Sequence, residues 1–170
     1  MKPDRSSHSA YFARYIDLVE TNDLISALEA STVHRDAFWN QISEERSRFR
    51  YAQGKWSIKE LLQHIIDCER IFCYRALCFA RNETIPLPGF DENEYVRSSS
   101  ADERTFKSLV EELEAVRESS IVLFKSLTDL QLDIPGNANG SAMTARAAGF
   151  IIVGHEIHHA NVIKERYLAS

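Results

Sequence analysis

The chain has 170 residues, 26% of them charged and 44% hydrophobic, which is the profile of one ordinary globular domain spanning 1–170. A chain of that size buries roughly two-thirds of its unfolded surface, so it needs neither disulfides nor a metal to stay folded. A formal charge of -5, with basic residues scattered among acidic ones, excludes a phosphate-neutralising surface and so argues against nucleic acid. No apolar run reaches the ~18 residues of a membrane span, and Met1 to Ser9 is polar, so a cytoplasmic protein without membrane association is expected.

After a polar start, Asp23 to Ile42 carries Leu24, Leu28, Phe38, Trp39 and Ile42 at helical spacings and is read as a first helix. Ser43 to Gln53 is charged and aperiodic. Ser57-Ile58-Lys59-Glu60 then matches a capping box, with Trp56 and Leu61 placed as a hydrophobic staple. The second helix runs from there to about Arg81 and is apolar over more than one stripe, which makes it central. Cys68, Cys73 and Cys78 fall within it five residues apart, so their side chains diverge and form no CxxC site; they read as small, reduced residues. Asn82 to Ser99, with Pro86, Pro88 and Gly89, reads as a long connection able to cover one end of a site. Ser100 and Glu103 suggest a second capping box before a third helix carrying Phe106, Leu109, Val110, Leu113, Val116, Leu123, Phe124 and Leu127. The turn-rich Pro135 to Gly140 precedes a last helix of about Ala142 to Leu168. Four long helices without a competing strand pattern give an all-α four-helix bundle.

Three of the six histidines stand on apolar helix faces. His155 and His159 are one turn apart, between Ile152 and Ile163, and their imidazoles project from one face within reach of a single ion. His64, between Leu61 and Ile65, adds a third nitrogen from a facing helix. Three imidazoles make an open site suited to zinc or nickel, with room for water or substrate. His158, three residues after His155, is an alternative to His159; the i, i+4 pair aligns better, which leaves His158 outside the ligand set or on the surface. His155-Glu156-Ile157-His158-His159 also spells H-E-x-x-H, the zinc-protease pattern, but no H-x-x-G-x-x-H continuation follows. Glu156 is therefore read as a carboxylate at the surface or beside the ligands. Asp67 and Glu69 also flank the ligands, without identifying a general base. Cys68 lies one turn after His64, and Trp56, Phe90 and Tyr95 are candidate pocket walls, although ordinary packing accounts for these aromatics equally well.

At these residues the chain resembles the DinB-like, YfiT-like superfamily of metal-dependent proteins, from about Tyr15 to Leu168. The resemblance rests on Gly54-Lys55-Trp56-Ser57-Ile58-Lys59-Glu60-Leu61, then His64, then Glu69-Arg70-Ile71-Phe72 with Tyr74-Arg75-Ala76. It continues through Pro86-Leu87-Pro88-Gly89-Phe90-Asp91 to Gly154-His155-Glu156, His159 and Glu165-Arg166-Tyr167. It implies a four-helix bundle with one His ligand from the second helix and an H-x-x-x-H pair from the fourth, binding zinc or nickel, commonly in a homodimer. It further implies transfer or isomerisation with a low-molecular-weight thiol of the bacillithiol, mycothiol or glutathione type. The alternatives are hydrolysis by a metal-activated water, and a dimerising metal-binding stress protein without turnover.

Overall fold

The computed structural model describes residues 1–169, and for 33–36 the backbone only, so Ser170, the last residue of the expected domain, lies outside the described residues. Four long helices build the bundle: α2 (Leu24–Trp39), α3 (Ile58–Ala80), α5 (Phe106–Lys125) and α7 (Ala145–Arg166). Three short helices accompany them: α1 (Ala10–Ile16), α4 (Glu92–Ser98) and α6 (Asp129–Leu132). Helix α3 packs against both α5 and α7, and α2 closes the ring by packing against the same two. No helix among the described residues is long and apolar enough to cross a membrane.

The start of α3 is fixed as its sequence requires. The Ser57 hydroxyl accepts from the Glu60 amide, and the Glu60 carboxylate accepts from the Ser57 amide at 2.8 Å. The second expected capping box does not form. Ser100 takes a left-handed backbone at φ 52° and opens only a 3-10 turn over Ala101–Glu103. Helix α5 begins after Thr105, whose hydroxyl accepts from the Ser108 amide. The turn at 101–103 serves another end: Asp102 accepts from the Ser57 hydroxyl at 2.6 Å and from Arg50 at 2.5 Å, tying the entry of α5 to the entry of α3.

Two further expectations change. Residues 135–144 are a β-hairpin, not a plain turn: β1 (Pro135–Ala138) pairs antiparallel with β2 (Ser141–Thr144) in the register Pro135↔Thr144 and Ala138↔Ser141. The loop residues Asn139 and Gly140 both have positive φ, 53° and 72°, the conformation an Asn-Gly hairpin loop adopts. The long connection of 82–99 contains α4, capped by the Asp91 carboxylate, and is stitched to the hairpin by Leu87 N–H to Asn137 O and Asn139 N–H to Leu87 O, both 2.9 Å. Helix α1, within the stretch read as a polar start, packs across α7 at Gly154, where any Cβ would overlap the Tyr15 carbonyl.

The core is divided along the bundle axis. One apolar cluster holds Leu28, Phe72, Phe79, Phe124, Phe150 and Ile151; the other holds Trp39, Leu62, Ile66, Leu109, Leu113 and Ile163. Between them each long helix contributes polar side chains: Ser31 from α2, His64 and Glu69 from α3, Arg117 and Ser120 from α5, and His155, Glu156 and His159 from α7. The bundle therefore has a polar waist, and the candidate site is part of it.

Candidate metal centre

His64, His155 and His159 meet in the waist, with one nitrogen of each within 4.8 Å of the others. His155 Nε2 lies 3.1 Å from His64 Nε2 and 3.0 Å from His159 Nε2. His64 and His155 are buried and His159 is half-buried. Burial, with nothing acidic beside it, lowers the His64 pKa to about 4. Burial and then the neighbouring imidazoles hold His155 and His159 well below the usual histidine range. All three rings are thus neutral at pH 7, the form in which imidazole offers a lone pair to a metal.

This donor set fits a divalent ion. Tetrahedral ligands on bonds of ~2.1 Å stand roughly 3.4 Å apart, close to the spacings found here. Within the protein alone the arrangement is poorly satisfied, because neutral rings have too few protons to bond every nitrogen turned inward, and His159 Nδ1 is buried without a partner. The rings are flanked by aromatic side chains: Trp56 stands 4.9 Å from His64, and Tyr15 stands 5.3 Å from both His155 and His158. His158 packs on His159 at 5.0 Å but is not one of the three convergent residues.

The flanking carboxylates turn elsewhere. Glu156, one residue and ~100° of helix rotation from His155, pairs with Arg117 at 3.0 Å on an adjoining face of α7. Glu69 accepts from the same guanidinium at 2.7 and 2.8 Å, and Asp67 accepts from Gln63. The H-E-x-x-H spelling thus has no carboxylate directed at the histidines. Cys68 does approach: its Sγ is 3.6 Å from His64 Nδ1, but burial pushes its pKa far up and keeps it a thiol.

The triad lies at a cavity of about 550 Å³ whose walls include Trp56, Phe72, Phe90 and Ile151. Tyr95 is set back, packed on Phe90 at 5.1 Å. The connection contributes Gly89, Phe90 and Glu92 to this wall, as expected of a segment covering one end of the site. Contributors that sequence reasoning missed include Tyr15 and Phe12 from α1, Asn139 from the hairpin and Arg75 from α3. Arg75 had a detectable signal, since eleven residues after His64 is three turns plus ~20°, on the same helix face.

A family model described as the DinB superfamily matches residues 27–163. A protein of Oceanobacillus iheyensis named "Putative metal-dependent hydrolase" is 23% identical over 155 residues, covering 88% of this chain and 86% of that one. A solved structure described as "YfiT from Bacillus subtilis is a probable metal-dependent hydrolase with an unusual four-helix bundle topology" superposes with a TM-score of 0.67. That superposition has 18% identity and covers 97% of this chain and 90% of the other, so it speaks for the fold. With most of its length matched by the family model, this four-helix bundle belongs to the DinB superfamily.

Proposed function

We propose that the chain is a metal-dependent enzyme in which His64, His155 and His159 hold one divalent ion, zinc or nickel, and the cavity admits a low-molecular-weight thiol together with an electrophile. Bound there, the ion supplies Lewis acidity that lowers the pKa of the nucleophile beside it. The observation that carries the reading is the convergence of three neutral imidazoles on a 550 Å³ cavity with no buried carboxylate among the described residues lining it. Thiols ionise readily once an ion is near, whereas activation of water commonly enlists a carboxylate as general base. Tyr15 and Trp56 orient the imidazoles, while Phe72, Phe90 and Ile151 limit water at the reacting centre. In the transfer, sulfur bonds to the electrophilic carbon, the leaving group departs with the bonding pair, and the thiol proton passes to solvent. Homodimerisation in solution is part of the proposal.

Hydrolysis is the second reading, favoured by the descriptions of the Oceanobacillus and Bacillus proteins, "Putative metal-dependent hydrolase" and "probable metal-dependent hydrolase". Both readings predict about one zinc or nickel per chain by elemental analysis, lost in a folded His155→Ala/His159→Ala variant. Metal-loaded protein is then given glutathione with 1-chloro-2,4-dinitrobenzene, and separately 4-nitrophenyl acetate without thiol. Thiol-dependent arylation supports transfer, and ester cleavage alone supports hydrolysis. Metal retention with neither activity rejects turnover of both classes of probe, and equal absence of metal in wild type and variant rejects the site.

A further inference from the structure

Arg75 is buried, only 5% exposed, yet its cation has no acidic partner among the described residues. Its guanidinium donates to the Pro88 carbonyl at 3.0 Å and lies 5.3 Å from the Phe72 ring and 5.8 Å from the Phe90 ring. Most of its five N–H groups thus have no protein acceptor and, not being sealed from solvent, are open to a ligand in the cavity. The side chain lines the same cavity as the histidines. Burial alone lowers its pKa, as expected of a cation whose surroundings do not neutralise it. The contrast with Arg117 and Arg146, which are both buried and both paired with two carboxylates, shows how this chain normally treats a buried guanidinium.

We propose that Arg75 is an anion subsite of the cavity and that the substrate carries a carboxylate at the end of a chain lying between Arg75 and the histidine triad. The inference rests on the cavity being the substrate site. The planar guanidinium matches a carboxylate edge through two parallel hydrogen bonds. Charge selects a single anion: the other ionised residue on the wall is Glu92, exposed and itself acidic, so no second cation is present among the described lining residues to hold a di- or triphosphate. Length follows from α3. His64 and Arg75 are roughly 16 Å apart along the helix, and the Arg side chain leans back toward the N-terminus, leaving roughly 10 Å for ligand. Phe72 and Ile151 line that interval with apolar surface suited to a methylene chain.

The test uses hexanoate and its uncharged isostere hexanamide, titrated calorimetrically into the metal-free full chain, so that the result does not depend on metal loading or turnover. Wild type is expected to bind hexanoate at least tenfold tighter than hexanamide, and Arg75→Gln to bind the two equally. Equal affinities in wild type, or an undiminished preference in Arg75→Gln, overturn the subsite. Should Arg75→Gln fail to fold, the wild-type Arg75 Nε–H resonance decides the question: it shifts with hexanoate and not with hexanamide if the subsite exists, and responds equally to both if it does not. Hexanoate selectivity in a protein that retains no zinc would leave the subsite standing and reject the metal reading; zinc retention without selectivity would do the reverse.

Discussion

The polar waist contains two clusters that share helices α3 and α7 and even take adjacent residues of α7. On one face of α7, Glu156 joins Glu69 around Arg117, which also donates to the Ser31 hydroxyl, while Ser120 donates to Glu69 at 2.7 Å. On the adjoining face, His155 meets His64 and His159, and nitrogen faces nitrogen. The first cluster closes on itself with donors matched to acceptors. The second leaves nitrogens without partners, which fits the proposal that an ion completes it. A core can hold polar groups for either purpose, and their hydrogen bonds bear on which: saturation fits a role in the fold, and a shortage of partners fits a ligand site.

That contrast is broken most directly at Arg117. Arg117→Met strands two buried carboxylates and should destabilise the protein by about 3–5 kcal/mol, measured as a lower urea midpoint. Replacing Glu69 and Glu156 with leucine in the same variant should recover most of the loss, since the Ser31 hydroxyl keeps its bond to the Leu28 carbonyl and the Ser120 hydroxyl can donate to the Val116 carbonyl in place of Glu69. A cost below about 1 kcal/mol for Arg117→Met would show that the saturated cluster does not hold the fold.

The histidine side predicts the opposite response. Zinc at 100-fold over its dissociation constant should stabilise wild type by about 2.7 kcal/mol and raise Tm by roughly 5–10 °C. His155→Ala should abolish that rise while leaving the metal-free protein near wild-type stability, because neutral imidazoles turned nitrogen to nitrogen cannot all be bonded. If metal-free His155→Ala instead unfolds, the triad is a structural cluster like its neighbour.

The sequence carried much of this outline through periodicity. The apolar stripes of 106–127 and the Ser57-Glu60 box placed α5 and α3, and the i, i+4 pair with His64 named the three residues that converge. What it hid was tertiary. The Ser100-Glu103 spelling equals that of a true capping box, yet Asp102 is bonded to Ser57 and Arg50 and the helix starts after Thr105. The hairpin had its Asn139-Gly140 signal, but four-residue strands are too short for alternation to register. Glu156 reads in sequence as a neighbour of the ligands, and its burial against Arg117 depends on a helix 39 residues away.

Gly154 sharpens the comparison by testing whether α1 belongs to the site. Gly154→Ala forces a methyl into the Tyr15 backbone and should cost about 1–3 kcal/mol. Because Tyr15 packs at right angles to the His155 ring, zinc affinity should fall as well. An overlap relieved without loss of affinity would mean that α1 only covers the triad.

The smallest effect expected is at an ion pair that is neither closed in the core nor open to a ligand. Asp133 accepts from Arg146 Nε at 2.7 Å and Nη2 at 2.9 Å near the start of α7. Those bonds hold its pKa below the usual carboxylate value, so the folded state binds a proton less readily than the unfolded chain. The stabilisation is therefore full above an unfolded pKa of about 3.9 and is lost as pH falls through the lower folded value. With the Asp133 side chain 57% exposed, solvent screening limits the pair to about 0.2–1 kcal/mol. Asp133→Asn should accordingly lower Tm by a few degrees at most at pH 7, and the gap from wild type should close in the most acidic buffers the fold survives. A gap that stays constant from neutral to acid pH would assign the loss to altered packing and not to charge, and Arg146 would then owe its place to Asp129, which also accepts from it at 2.9 Å.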